Sequence, residues 1–436
     1  MNVWNVDSYT KLILIYFLTI FCFKVAISVS FAAPSSVSTE GPEAEGLLKW
    51  RHSLDNQNQA LMSSWVGNSP CNWTGSACNE FRSITNISLS HTGLRGTLYA
   101  FSFSSFPSLL SLNLSQNLLY GNIPSILSNL SKLIYLDLAT NQLFGRIPSE
   151  IGLLTSLNIL NLDENHMNES IPNEIGSLRS LKELRLGENS LTGPIPASIW
   201  SLGNLTFLNL GSNQLSGTVP QEVGNLKSLN QLHLQFNNLN GPIPASIGNL
   251  ANLTVFALLS NTFYGSIPSS LGNLTKLTWL DIQQNQLSGL IPPELGKLTL
   301  LFKLGLFLNN LNGSIPGELN NLTNLQNLGV SSNMLSGYLP QEIYNGGVLV
   351  NFSANDNYFI GSILKSFRNC SSLYRVRLDR NRLTGTISED LGVYPHLNYI
   401  DLSYNNFYGE ISHKWVQCQN LQSLKISHSS CIGEAQ

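Results

Sequence analysis

The segment TKLTWLDIQQNQLSGLIPPELGKL, residues 275–298, decides how this chain folds. Leu277, Leu280 and Ile282 are followed by Asn285, Leu287, Gly289, Ile291 and Pro292, which spells L-x-x-L-x-L-x-x-N-x-L-x-G-x-I-P. The Asn recurs at 117, 141, 165, 189, 213, 237, 261, 285, 309, 333, 357, 381 and 405, thirteen copies at a constant step of 24 residues. A unit of that size cannot bury its own apolar face, so stability has to come from stacked neighbours. Leu277, Leu280 and Ile282 are expected to point inward onto their equivalents one coil away. Asn285 is expected to satisfy backbone groups where the chain turns out of its strand, which an apolar residue could not do. Gly289 permits backbone angles that a Cβ would penalise, and Pro292 stiffens the return path.

This pattern is a leucine-rich repeat, and it predicts an α/β repeat solenoid with a parallel inner β-sheet. Numbering coils from Asn117 as the first, partial coils flank the thirteen. Ile84 to Leu98 fits with Thr92 in the Asn position and one extra residue. At the far end Ser429 takes the Asn slot, Cys431 a Leu slot and Gly433 the Gly slot. Fifteen stacked strands make a solenoid of roughly 65–70 Å along the sheet. Leu364, Ser388 and Ser412 replace the repeat Pro in late coils, and Glu169 replaces Gly in an early one; these read as local turn variations.

Upstream of the repeats the chain reads in two parts. Leu12–Phe23 is an apolar run of twelve after Lys11, with small residues through Ala33, so residues 1–33 read as a secretory signal peptide; an uncleaved anchor is the other reading. Residues 34–83 read as an N-terminal cap: Glu43–Leu54 places Leu47, Trp50 and Leu54 on one helical face, and Cys71 and Cys78 are expected to form a disulfide in an oxidising compartment. Residues 84–436 hold about fifteen repeats, the last incomplete. A solenoid stopping in mid-coil exposes its leucines, so Gln436 reads as an interior point of a longer protein. Cys370, Cys418 and Cys431 cannot be paired from sequence.

Composition narrows the function. Only 11% of the 436 residues are charged and the net charge is −3, which excludes a nucleic-acid binder that works by bulk positive charge and argues against disorder. Twelve sequons, at Asn72, Asn86, Asn113, Asn129, Asn168, Asn204, Asn252, Asn273, Asn312, Asn321, Asn351 and Asn369, fit a secreted glycoprotein as a group. No His, Cys, Asp and Glu spacing matches a metal site, no cofactor is expected, and no nucleophile has an organised partner. The chain carries no Gly-rich loop with a strand Lys, no His-Arg-Asp and no Asp-Phe-Gly, so it is read as non-enzymatic.

The cap helix, the Cys71-x-Trp73-x-Gly75-x-x-Cys78 element and the N-x-L-x-G-x-I-P signature resemble the extracellular part of plant leucine-rich-repeat receptor-like kinases. Phe367–Gly392 looks most like the group around the male-discoverer-interacting receptor kinases. The resemblance covers nearly the whole mature chain. It implies a right-handed superhelix whose inner surface binds a secreted peptide at the plasma membrane, with a shorter leucine-rich-repeat co-receptor kinase joining the complex. It also implies further repeats, a transmembrane helix and a kinase domain beyond this chain. The competing reading is a stand-alone apoplastic binder, such as a decoy or an inhibitor of pathogen polygalacturonases; those are shorter and closed by cysteine pairs at both ends.

Strand residues six, four and two positions before each Asn, and the residue just before it, form rows on the inner face. Three groups stand out there. Asp163, Glu164, Glu183, Arg185 and Glu188 suit either a ladder of cross-strand charge pairs or a basic peptide segment. Phe207, Phe236, Val255, Leu259, Trp279 and Phe307, with Leu308, are apolar where the core needs no apolar residue, so they are candidate ligand contacts. Arg375 and Arg377 project from one strand and are expected to be exposed. In several peptide-hormone receptors of the resembling family such an Arg-x-Arg grips a free C-terminal carboxylate; salt bridges to Asp356, Asp379 or Asp401 are the alternative.

Overall fold

The computed structural model describes residues 41–55, 62–340, 342, 346–363, 370–387, 393–410 and 413–432. The signal segment, Leu364, Asn369, Ser388 and Ser412 lie outside the described residues. Fifteen short parallel strands, one per coil from Ile84–Ser88 to Ser423–Lys425, stack into one inner sheet. A cap strand, Ser76–Cys78, extends its first edge antiparallel. Register is fixed by the repeat length: Trp279 lies between Val255 and Lys303, and Asp281 between Ala257 and Gly305. Residues 24 apart therefore stand side by side on one face.

The coils from Asn117 to Asn309 return through a short 3₁₀ turn that begins after the repeat Pro, as in Pro293–Lys297 after Pro292 at φ −64°. Between the Asn and that turn the chain forms a second, shorter strand such as Gln286–Gly289. These strands make two sheets, one of eleven strands and one of four. The break falls at Glu169, where only a Ser170–Thr192 bridge crosses. Glu169 holds φ +63°, a conformation that its Cβ makes costly and that Gly takes freely. The substitution thus interrupts the second sheet while the inner one passes through intact.

The core is the column of repeat apolar residues. Leu277, Leu280, Ile282 and Leu287 are wholly buried, and their equivalents in coils one to thirteen are buried with them. Beside that column runs a ladder of amides. Asn285 Nδ2 donates to the carbonyls of Leu258, Ile282 and Gln283 at 3.0–3.2 Å, and its Oδ1 accepts the Phe263 N–H at 3.0 Å. One side chain thereby satisfies four backbone groups. In the first partial coil the Thr92 hydroxyl reproduces one of these bonds, to Leu89 O at 2.7 Å. In the last, the Ser429 Oγ is buried with no partner, being too short for the job.

The cap closes the first coil. Helix α1 (Gly41–Ser53) buries Ala44, Leu47 and Trp50, and Leu54 follows just beyond it. Both Glu43 carboxylate oxygens accept the Ile84 N–H, at 3.1 and 3.0 Å, tying α1 to the first inner strand. Burial pushes the Glu43 carboxyl up, and the bond from Ile84 opposes it. Trp65 and Trp73 stack with ring centres 5.5 Å apart, and their indole N–H groups donate to Thr74 O and Val66 O. Cys71 and Cys78 form the expected disulfide; Cys370 and Cys418 are buried free thiols. Leu421, Leu424 and Ile426 of the last coil are only partly buried. Among the described residues no helix is long and apolar enough to cross a membrane.

Candidate ligand-binding face

The chain turns out of every inner strand through a left-handed residue placed just before the Asn. Gln116, Thr140, Ser212, Ser260 and Gln284 adopt φ of 53–55° there, and so do Phe236 and Leu308 at 54°. For a bulky side chain this conformation is strained. Phe236 and Leu308 are also 51% and 45% exposed, so neither burial nor backbone preference explains them.

The other apolar candidates are half-buried. The Phe207 ring lies between the Arg185 guanidinium, 3.9 Å from its centre, and the His233 ring at 5.4 Å. Val255 and Trp279 stand side by side on paired strands, whereas Gln231 separates Phe207 from Val255. Phe307 leans over Gly329, where a Cβ would approach it to 3.2 Å. Gln283 falls between Leu259 and Phe307 along the stack. The seven residues are therefore an apolar stripe interrupted by amides, rather than one patch.

The acidic group resolves into internal pairs. Arg185 bonds Glu183 on its own strand at 2.8 Å. Asp163 accepts the Gly187 N–H at 2.6 Å and the Asn209 amide at 3.1–3.2 Å. Burial nevertheless pushes its carboxyl up to about 7, against those bonds and Arg185. Burial, with Arg185 adding to it, lowers His233 to about 4. Glu188 is raised by burial and by Glu164.

The arginine pair departs from expectation in one respect. Arg375 and Arg377 do project from one strand, but both are half-buried instead of exposed. Adjacent aromatic and acidic side chains cover them. Arg377 makes a two-pronged bond to Asp379, Nε to Oδ1 at 3.1 Å and Nη2 to Oδ2 at 2.9 Å. The Arg375 guanidinium lies 4.1 Å from the centre of the Tyr399 ring. Arg380 stands 3.6 Å from Asp356.

Sequence reasoning passed over a second buried pair, in which Lys303 Nζ meets Asp281 Oδ2 at 2.7 Å. The two residues are 22 apart, one coil less two positions, a spacing that places opposite charges on neighbouring strands and was open to inspection. Among the described residues no group of His, Cys, Asp and Glu could hold a metal ion. Nine sequon asparagines (Asn72, Asn86, Asn129, Asn168, Asn204, Asn252, Asn273, Asn312 and Asn321) are exposed. Asn113 and Asn351 are half-buried on the inner sheet, Asn351 donating to Asn327 at 2.7 Å.

Comparison with known proteins agrees with this architecture. Residues 81–242 match a leucine-rich repeat region, 40–79 a leucine rich repeat N-terminal domain and 276–298 a single leucine rich repeat. The Arabidopsis receptor kinase HAESA, solved with the peptide hormone IDA and the co-receptor SERK1, superposes with a TM-score of 0.72 at 32% identity, covering 89% of this chain and 74% of that one. This chain belongs to the plant leucine-rich-repeat receptor kinase ectodomain family. A second member of that family, the plant peptide hormone receptor RGFR1 in complex with RGF2, has a TM-score of 0.66 at 30% identity over 83% of this chain and 72% of its own. MDIS1-interacting receptor like kinase 2 of Arabidopsis thaliana is 40% identical over 114 residues, 25% of this chain and 10% of its own length. A probable leucine-rich repeat receptor-like protein kinase of the same plant is 39% identical over 116 residues, again 10% of its length. The matched stretch is thus about a tenth of each of these curated relatives.

Proposed function

We propose that this chain is the ligand-recognising part of a plant cell-surface receptor kinase and that its concave face binds a secreted peptide. The observation that carries the reading is the pair Phe236 and Leu308, bulky, exposed and left-handed on the inner face at a position that the other coils fill with polar or charged residues and, in coil thirteen, with the equally exposed Tyr404. Such residues weaken the free protein, and a bound partner that covers them offsets that cost. Phe207, Val255, Leu259, Trp279 and Phe307 continue the stripe along coils five to nine. Arg375 and Arg377, in coil twelve, hold the peptide's C-terminal carboxylate once Asp379 gives way. HAESA and RGFR1, both solved with peptides, support the ligand class, and SERK1 beside HAESA supports a co-receptor kinase as the second partner.

The repeats act outside the cell, after removal of residues 1–33, with glycans on exposed sequons; residues 34–83 cap residues 84–436. The chain contributes binding and no catalysis. A plant ice-binding protein shares the fold at 28% identity and a TM-score of 0.56, so a stand-alone secreted role is the second reading. Capture distinguishes them: the secreted full chain is immobilised and exposed to synthetic plant signalling peptides. Retention of a peptide by the native chain, and its loss from a Phe236→Ser/Trp279→Ser variant, supports the receptor reading. Equal retention by both proteins sinks it.

A further inference from the structure

Asp281, Gln283, Trp279, Lys303 and Gly305 form a closed cell on the inner face of coils eight and nine. Gly305 has no side chain, and the space is taken by its neighbours: a Cβ there would lie 2.5 Å from Asp281 Oδ1 and 3.2 Å from Gln283 Oε1. Both oxygens are buried and neither accepts a hydrogen bond. The Asp281 side chain is 1% exposed and Gln283 2%. On the other side of the carboxylate, Lys303 Nζ sits 2.7 Å from Oδ2 and 4.2 Å from the centre of the Trp279 ring. Burial raises the Asp281 carboxyl; the Lys303 ammonium, the Gln283 backbone and the Trp279 indole pull it the other way.

A carboxylate and an indole face around one cation make a cation site. Here the occupant is the chain's own Lys303, and the fit is incomplete. The ammonium serves Oδ2 and leaves Oδ1 and Gln283 Oε1 without donors. A guanidinium carries five N–H donors in a planar fork, so it can bond both carboxylate oxygens and a third acceptor while stacking on the indole. Exchange of one cation for the other keeps the net charge of the buried cell unchanged, which an added cation would not. Lys303 has the long stem needed to swing into the groove, where it stands beside Asn327 on the next strand.

We infer that this cell is an arginine subsite, held closed in the free protein by Lys303 as a placeholder, and that it receives an arginine side chain of the bound peptide. The inference rests on the peptide-binding reading of the concave face and names one residue of that peptide.

The test uses acetyl-arginine amide and acetyl-lysine amide as probes, titrated into the full secreted chain and followed by ligand-detected NMR. Lys303→Ala vacates the seat, so it should bind acetyl-arginine amide at least tenfold more tightly than the native chain and prefer it over acetyl-lysine amide. Asp281→Asn in that background should abolish the gain. Lys303→Arg supplies the missing donors from within and should raise Tm by about 2 °C or more with no probe present, which keeps the inference testable if Lys303→Ala folds poorly. An unchanged or lower Tm for Lys303→Arg, or equal binding of the two probes, overturns the subsite. Capture of signalling peptides by the native chain would persist in that case, so failure of the subsite and failure of the receptor reading are told apart.

Discussion

Asn209 reaches back across two coils to Asp163, placing its Nδ2 3.1 and 3.2 Å from the two carboxylate oxygens. Gly187 on the intervening coil makes this possible, because a Cβ there would collide with the Asn209 amide. The same Gly187 donates its N–H to Asp163 at 2.6 Å. Three coils are thus joined by one buried carboxyl, at a cost in desolvation.

That cost sets a pH dependence. Asp163 titrates near 7 in the fold and near 3.9 in an unfolded chain. Between those values the folded state keeps a proton that the unfolded state has lost, so this group's contribution to stability falls as pH rises from about 4 to about 7. Asp163→Asn, which never ionises, should gain on the native chain over that range. Melting at pH 5 and pH 8 checks it: the variant's relative Tm should be higher at pH 8, and equal differences at both would refute the assignment. His233 acts oppositely. Lowered to about 4, it removes stability as pH falls from about 6.5 toward 4, and His233→Gln should flatten that acid limb.

The amide ladder should be indispensable within each coil. Asn261→Ala strands the carbonyls of Leu234 and Leu258 and the N–H of Leu239, all buried partners at 2.9–3.0 Å. A loss of about 2–4 kcal/mol is expected from leaving these groups unpaired. Because most stacking contacts run between adjacent coils, amide hydrogen exchange should quicken around residues 234–262 and stay unchanged near Asn117. Uniform acceleration along the chain would contradict the local account.

Phe236 should trade stability for binding. Phe236→Asn places a side chain tolerant of left-handed backbone at φ 54° and removes an exposed ring, so it should stabilise by about 1 kcal/mol. The same change should weaken a captured peptide at least fivefold by titration calorimetry. A variant that is stabilised and binds normally would free Phe236 of any contact role.

The arginine pair makes a sharper claim than its exposure once suggested. Arg375→Gln/Arg377→Gln should weaken peptide binding at least tenfold, Gln preserving most of the side-chain volume at these half-buried sites. Asp379→Asn loosens the two-pronged bond to Arg377 and should tighten a peptide with a free C-terminal carboxylate. An amidated peptide should respond to neither change. Equal responses of the free and amidated peptides would remove the carboxylate from the account.

Most of the fold was legible because it is periodic. The step of 24 residues dictated that Leu277, Leu280 and Ile282 stack on copies of themselves, and the count of fifteen inner strands followed. Asn285 was readable as a backbone partner because a conserved spacing within one chain put an amide at every exit from a strand. Glu169 was legible as an irregularity, although not as a break confined to the second sheet.

The rows of the inner face were legible as rows; what their members do to one another was not. Sequence spacing places Phe207 beside Gln231, but it does not say that Arg185 lies on the ring. It places Arg375 and Arg377 on one strand, yet the fork of Arg377 turning to Asp379 depends on side-chain rotamers and burial. Stacking energies sum over many identical contacts and tolerate local error, so the repeat alone determined the solenoid and its register. Charge pairing and solvent access depend on single distances of a few ångströms between side chains 2 to 46 residues apart. Only the tertiary structure could decide those, and with them the buried Asp281–Lys303 pair and the carboxyl of Asp163.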